Sequence, residues 1–324
     1  MAPVRVRSAV EWSAGGADPL LAAFTGAMVA PGGQRGPRSG FDGPLYAAGV
    51  IRPSIMGVLN VTPDSFSDGG RFSSAADAVA CGRQMFNDGA AFVDVGGEST
   101  RPGAAPVPPD EELRRVLPVV EALVGCGPVS IDTRHEVVAR AAVAAGATVI
   151  NDVSSSLGEV AADLGVGWVA MHMAGLPATM QDAPQYQDVV SEVLDFVLER
   201  AEAARLAGVA RVWIDPGFGF GKTVDHNLTL LAALDRFVST GLPVLVGLSR
   251  KQTMGQLTLS SDRRVNQAVE SIEPADRLEA SLAAATWAME MGVSMVRAHD
   301  VRAHVHAARV VAGSIQQNAM TGAA

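Results

Sequence analysis

Asp132, Asn151, Asp215, Lys251 and Arg297 stand at or just past the ends of five different short apolar runs. Asn60, Asp94, His172, Ser249 and His299 are placed in the same way. Carboxylates, neutral amides and fixed cations repeated at one kind of position suggest one shared floor. A flat heterocycle with an amino group beside a ring N–H would match it, because an ionised carboxylate accepts both hydrogens. The cations would remain for an anionic group. The plain alternative for a single Asp at a strand end is an N-cap for the next helix. Asp132-Thr133 suits that alternative; Asp215, followed by Pro216 and Gly217, suits it less.

The connecting segments add chemistry. NVTPDSFSDGG (60–70) is long and polar, with a neutral oxygen on Asn60 and a hard carboxylate on Asp64. Both are ligand types for a metal–phosphate group; the plain reading is a turn with an N-cap at Ser73 or Ser74. GGESTRPGA (96–104) carries Thr100 and Arg101 beside a rigid Pro102. A guanidinium fork fits phosphate with two parallel bonds, though an Arg in a turn also occurs with no ligand. GLSRKQTMG (247–255) puts Arg250 and Lys251 at a mouth, with a helix expected from near Gln252. Free amides at that helix start could hold a carboxylate or phosphate, and solvated charges are the alternative. Arg297 and His299 alternate, so both face one side of their strand; His304 and His306 receive no role. GFGFGKT (217–223) approaches a phosphate-binding P-loop, but Pro216 stands where the pattern requires Gly. Its glycines would instead let the backbone lie close under a planar ligand, with Phe218 or Phe220 beside it.

These residues need elements to carry them. Apolar, β-branched runs occur at 54–61, 91–97, 128–133, 148–154, 167–173, 211–217, 243–249 and 293–300. Segments with helical spacing lie at 74–89, 110–124, 135–145, 157–165, 189–208, 224–239, 274–291 and 301–313. Continuous apolar strands suit a sheet buried on both faces. Eight strands alternating with eight helices predict an α/β fold of the (β/α)8 TIM-barrel class, whose strand C-termini build the active site. An open doubly wound sheet is the alternative, but its GxGxxG fingerprint is missing. Residues 1–50, with PGGQRGPRSG at 31–40, read as an irregular N-terminal extension; 51–315 as the barrel; 316–324 as a tail.

Composition limits the partners. The 324-residue chain is 48% hydrophobic and carries a net charge of −9, so it can bury a large core and is a poor partner for nucleic acid. Cys81 and Cys126 stand in no zinc or CxxC spacing, which suits reduced thiols. No apolar run reaches 18 residues, so no membrane span is expected, and the expected setting is cytoplasmic.

NVTPDSFSDGG, DVGGESTRPGA, SIDT, INDVS, MHM, DPGFGFGK, GLSRK and RAHDV, in this order, resemble the successive signatures of the dihydropteroate synthases. The resemblance covers about residues 54–313, and residues 1–50 form a longer leader than is usual there. It implies transfer of the pterin methyl carbon of 6-hydroxymethyl-7,8-dihydropterin diphosphate onto 4-aminobenzoate, giving 7,8-dihydropteroate and diphosphate, in a homodimer using Mg2+. It implies that Asp132, Asn151, Asp215 and Lys251 hold the pterin, with Asp132, Asp215, Lys251 and Arg297 carrying the chemistry. Asn60, Arg297 and His299 would bind the diphosphate, with Mg2+ at Asn60. Thr100, Arg101, Phe66, Phe220 and Gln252 would shape the aminobenzoate side. Two departures stand out: Ala298 replaces a Val between Arg and His, and Gln252 stands where Ser or Arg is common. Competing readings are a pterin-binding methyltransferase domain and a non-catalytic pterin-binding paralogue, which releases no diphosphate.

Overall fold

The computed structural model describes residues 53–62, 75–101, 103–177, 179–265 and 269–321. Phe66, Asp64, Ser73, Ser74 and the 1–50 extension lie outside the described residues. Eight short strands carry the frame: β1 (Ser54–Asn60), β2 (Phe92–Gly96), β3 (Val129–Asp132), β4 (Val149–Asp152), β5 (Gly167–Met171), β6 (Val212–Asp215), β7 (Leu245–Gly247) and β8 (Met295–Ala298). Every pairing is parallel, in the order β6-β5-β4-β3-β2-β1-β8-β7. The Ile214–Val244 bridge, with Ile214 N–H donating to the Pro243 carbonyl at 3.0 Å, joins β6 to the start of the β7 segment. That contact closes the sheet into the (β/α)8 barrel the alternation calls for.

The helices are α1 (Ala75–Asn87), α2 (Pro109–Leu123), α3 (Glu136–Ala144), α4 (Gly158–Leu164), α5 (Val189–Ala207), α6 (Val224–Ala232), α7 (Leu234–Val238), α8 (Gln252–Asp262), α9 (Leu278–Glu290) and α10 (Val301–Thr321). Local chemistry sets their ends. Asp188 Oδ1 accepts from the amides of Val190 and Ser191 at the start of α5, while Gly208 ends that helix at φ +108. Thr223 and His226 form a reciprocal cap at α6.

Strand alternation sorts the side chains. Ile55, Leu59, Val93, Val95, Val129, Ile131, Ile150, Ile214, Val246 and Val296 join helix residues in one core between sheet and helices. The other face fills the barrel, where Phe92 and Trp213, from non-adjacent strands, meet edge to face at 6.1 Å. Ladder register sets the upper floor: Asn60 pairs with Gly96, Gly96 with Asp132, and Asp132 with Asn151. Four strand ends therefore form one row over the barrel mouth.

Several expected elements differ, among them the 274–291 helix, which is a 3-10 turn at Pro274–Asp276 followed by α9. The 224–239 segment is two helices, broken at Ala233 (φ −107, ψ 19). β7 keeps only Leu245–Gly247 of 243–249, because the chain turns out into a left-handed residue at Arg250 (φ +59). The last helix runs on to Thr321. Ala298 is buried in the outer core, pointing away from the mouth.

Phe237 on α7 is fully buried at 0% exposure. Phe237→Ala should lower the folding free energy by about 3–5 kcal/mol in urea unfolding. A loss below about 1 kcal/mol would show that α7 does not seal the core.

Candidate active site

A cleft of about 920 Å³ opens at the C-terminal ends of the strands. Asn60, Asp132, Asn151, Asp215, Lys251, Arg297 and His299 line its floor, and Thr100, Arg101, Phe220 and Gln252 line its walls. These are all the sequence-predicted site residues that lie among the described ones. The strand ends bring together side chains far apart in sequence, as a barrel must.

Arg297 sits at the centre. Its Nε donates to Asp94 Oδ2 at 2.6 Å and its Nη2 to Asp132 Oδ2 at 2.6 Å. One guanidinium is thus held between two carboxylates, and both push its pKa up against the opposing effect of burial. Asp94 Oδ2 also accepts from Asn151 Nδ2 at 2.8 Å, a contact that commits the amide and leaves the Asn151 carbonyl oxygen for the cleft. Sequence reasoning saw Asp94 as another polar strand end and gave it no role. Its signal is a lone charge inside the otherwise apolar strand FVDVG, 0% exposed, where a buried carboxylate demands a cation.

Asp132 is no helix cap, since the residue preceding α3 is His135. Burial lifts the Asp132 carboxyl above the usual aspartate range, with Arg297 pulling it back down. Asp215 is likewise raised by burial and opposed by the Gly217 amide, which donates to its Oδ1 at 2.8 Å. Lys251 is lowered by burial and by Arg297, against the attraction of Asp215 and Asp132. Its Nζ lies 3.9 Å from the centre of the Phe220 ring, a cation–π contact.

His299 takes a hydroxyl partner: Ser249 Oγ lies 3.1 Å from its Nδ1, and the His299 amide donates to the same oxygen at 3.2 Å. Burial, then Arg250, Arg297, Arg101 and Lys251, hold the ring well below the usual histidine pKa. It is a neutral N–H donor, not a cation.

Arg250 stands at the mouth as expected, but its charge is engaged there by Asp300. Its Nε and Nη2 donate to Asp300 Oδ2 and Oδ1 at 3.1 and 2.7 Å. Its amide donates to Ser281 Oγ at 3.0 Å, and its carbonyl accepts from Arg277 Nη1 at 3.0 Å. These bonds hold a non-glycine residue at φ +59, a conformation that costs energy for an L side chain. The turn sends Lys251 inward. α8 does begin at Gln252, and Gln252 is exposed at the cleft wall.

The loop at Gly217, Gly219 and Gly221 (φ +68, +78 and +63) passes under the cleft. A Cβ on Gly217 would lie 1.9 Å from the His172 carbonyl oxygen, so only glycine fits. Glu98, Glu112 and His135 offer grouped oxygen and nitrogen atoms. However, Arg134 donates to both Glu98 oxygens at 2.9 Å, and Glu98 Oε1 also accepts from the Val107 amide at 3.0 Å. The group therefore ties the base of the 98–107 loop, with Arg134 as the countercharge of Glu98 and His135 Nδ1 2.7 Å from Glu112 Oε2. None of its members lines the cleft.

The family model described as pterin binding enzyme matches residues 56–299. The dihydropteroate synthase of Escherichia coli K12 is 46% identical over 283 residues, 84% of this chain and 96% of that protein. The structure of the Xanthomonas albilineans dihydropteroate synthase with 4-aminobenzoic acid aligns at TM-score 0.72 and 47% identity, covering 83% of this chain and 96% of that one. The same enzyme in complex with 7,8-dihydropteroate aligns at TM-score 0.69 and 45% identity, covering 82% and 94%.

Removing Asp94 would leave two buried donors, on Arg297 and Asn151, without their shared acceptor. Asp94→Ala should cost about 3–5 kcal/mol of stability, the range for breaking a buried pair from one side. Urea unfolding checks this; a cost under about 1 kcal/mol would mean that Asp132 alone anchors Arg297.

Proposed function

The chain belongs to the dihydropteroate synthase family, within the pterin-binding enzymes, and from that premise we propose how its own residues do the chemistry. It condenses 6-hydroxymethyl-7,8-dihydropterin diphosphate with 4-aminobenzoate, giving 7,8-dihydropteroate and diphosphate. The observation that carries the residue assignment is the convergence of three acceptors, on Asp132, Asn151 and Asp215, with Lys251 and Arg297 in one cleft.

The pterin ring lies on that floor. Asp215 Oδ1 accepts from the Gly217 amide and keeps a second lone pair, so the two carboxylate oxygens together take the exocyclic amino group and ring N–H. The Asn151 carbonyl oxygen and the second Asp132 oxygen accept the remaining ring donors, and Lys251 donates to a ring acceptor. As the C–O bond to the diphosphate lengthens, negative charge moves onto the leaving group. The remaining N–H groups of Arg297, the neutral His299 ring and Arg101 stabilise it. Positive charge left on the methylene spreads into the pterin, where the buried carboxylates of Asp132 and Asp215 favour it. The aniline nitrogen is a neutral nucleophile that needs chiefly positioning. Thr100, Arg101, Phe220 and Gln252 shape its pocket, and the amides at the start of α8 suit its carboxylate.

Mg2+ belongs to the same proposal. Where a Cβ on Gly96 would stand, Asn60 Oδ1 lies 3.6 Å away and Asp132 Oδ2 3.5 Å away. The glycine thus leaves open a space beside the Asn60 amide oxygen, a hard donor suited to Mg2+, while the bordering Asp132 Oδ2 is already bonded to Arg297. Asn60 would hold the ion, and the ion would offset the charge growing on the diphosphate. A homodimer in the cytoplasm completes the reading. The homodimer is supported by the half-exposed Trp287 of α9, and the reducing setting by two cysteines that form no disulfide. Among the described residues no helix is long and apolar enough to cross a membrane.

Mixing the protein with Mg2+, the pterin diphosphate and 4-aminobenzoate should yield dihydropteroate by mass spectrometry, with diphosphate released in equal amount. Asp215→Asn should lower kcat/KM by roughly a hundredfold, the scale for losing one electrostatic group; near-normal turnover would remove Asp215 from the pterin site. Because burial raises Asp215, activity should fall with acid on a limb lying above the ~4 of a free aspartate. A limb at or below that value would mean that the ionised carboxylate is not required.

A further inference from the structure

Lys222 takes no part in the reaction as described, yet it is built into the site more tightly than any residue that does. Its side chain is 3% exposed. Its Nζ lies 2.9 Å from His172 Nδ1, 3.0 Å from the Gly217 carbonyl oxygen and 3.1 Å from that of Phe220. An ammonium has three hydrogens, and these three acceptors use them all; the His172 carbonyl, at 3.4 Å, is a weaker fourth. The Lys222 charge therefore faces its own loop, not the substrate.

That loop has two sides. Around the ammonium, the left-handed glycines at 217 and 221 turn the carbonyls inward, while Gln181 and Tyr186 bind the Gly219 and Gly221 carbonyls from outside. Toward the cleft, the Gly217 amide holds Asp215 and the Phe220 ring supports Lys251. One buried cation gathers the carbonyls of the same two residues, Gly217 and Phe220, that orient a pterin carboxylate and a pterin cation.

We propose that Lys222 is a positioning residue for the reaction: its ammonium fixes the Gly217–Gly221 loop that orients Asp215 and Phe220, and places a positive charge behind Asp215 that keeps that carboxylate ionised. The proposal rests on the reading of Asp215 as the pterin-binding carboxylate.

The surroundings agree. The charged and titratable groups facing this region are Asp215 from β6, Lys251 before α8, Arg297 from β8, His172 after β5 and the Tyr186 hydroxyl. His172 is driven down to about 3, first by burial and then by Lys222, so it is a neutral acceptor at Nδ1. Lys222 itself is lowered to about 7 by burial, with Asp215 opposing the fall and Lys251 adding to it. Lys222 in turn is one of the charges that hold Asp215 down. Withdrawing the ammonium must move the Asp215 titration toward higher pH.

The test is the pH profile of kcat/KM for Lys222→Met, a neutral side chain of similar length, and Lys222→Arg, which keeps the charge. Lys222→Met should shift the acid limb upward by about one pH unit. It should also lower kcat/KM at neutral pH by about 10–100-fold, the scale seen for groups that orient a ligand-bearing side chain. The loss should fall on KM for the pterin diphosphate more than on KM for 4-aminobenzoate. Lys222→Arg should leave the limb where it was. A folded Lys222→Met protein with an unmoved limb overturns the proposal. Lys222→Gln, with two N–H donors and no charge, is the second neutral variant. Should neither neutral variant fold by circular dichroism, Lys222 is a determinant of the fold and the positioning role is likewise overturned. Failure of the underlying reading looks different: Asp215→Asn would then be nearly as active as the unaltered protein, whatever Lys222→Met does.

Discussion

Burying charge at the bottom of a cleft is affordable only where cations and carboxylates neutralise each other, and here the neutralising contact is Arg297 held between Asp94 and Asp132. Each ion alone would carry several kcal/mol of desolvation cost. Joined, they form a rigid floor: Arg297 donates to two carboxylates, Asp94 accepts from both Arg297 and Asn151, and the free edges of Asp132 and Asn151 face up. Removing any member leaves another unpaired. The floor therefore fixes which atoms are left over for a ligand: acceptors on Asp132 and Asn151, and the unused N–H groups of Arg297.

The barrel makes that contact possible. Asp94 and Arg297 are 203 residues apart in sequence, and the pairing of β1 with both β2 and β8 brings their strands within reach. Gly96 matters for the same reason. It shares a row with Asn60 and Asp132, and its missing side chain leaves the space into which both neighbours point. Away from the cleft, the apolar faces of the helices hold the outward strand residues Val93, Val95, Ile131, Ile150 and Val296 at 0% exposure. Inward residues at alternate positions are thereby fixed in direction.

The sequence revealed what depends on local pattern. Apolar runs of six to eight residues with polar ends announced the strands, and the repeat of those ends announced a common site. What it did not reveal depends on partners. Asp94 and Asp132 look alike as strand residues, and only the placement of Arg297 shows that one oxygen of each is committed inside the floor. Arg250 looked like a cation for the substrate, but Asp300, fifty positions on, takes its charge. Lys222 resembled half of a phosphate loop, and its acceptors are backbone carbonyls that no composition or spacing displays. The break at Ala233 between α6 and α7 has no Gly or Pro to mark it. In each case a long-range or backbone partner decides the role, and periodicity carries no information about such partners.

A chain with a net charge of −9 still has to stabilise a departing anion, and the way its cations are spent explains how. Arg297 is bound to carboxylates, Arg250 to Asp300 and Lys222 to its own loop, so these charges cannot swing to follow a ligand. Their partners were desolvated when the protein folded, and little reorganisation remains for the reaction itself. His299, kept neutral by burial and then by the cations around it, adds a directed N–H without adding charge to a crowded centre. The more adaptable contacts are left to Arg101 on its exposed loop and to the side chain of Lys251, whose cation rests on the face of Phe220. The site thus divides its work between a floor whose charges are locked to one another and a rim whose charges meet the substrate. The lysine under the Gly217–Gly221 loop stands at the boundary, where the locked part sets the direction of the part that binds.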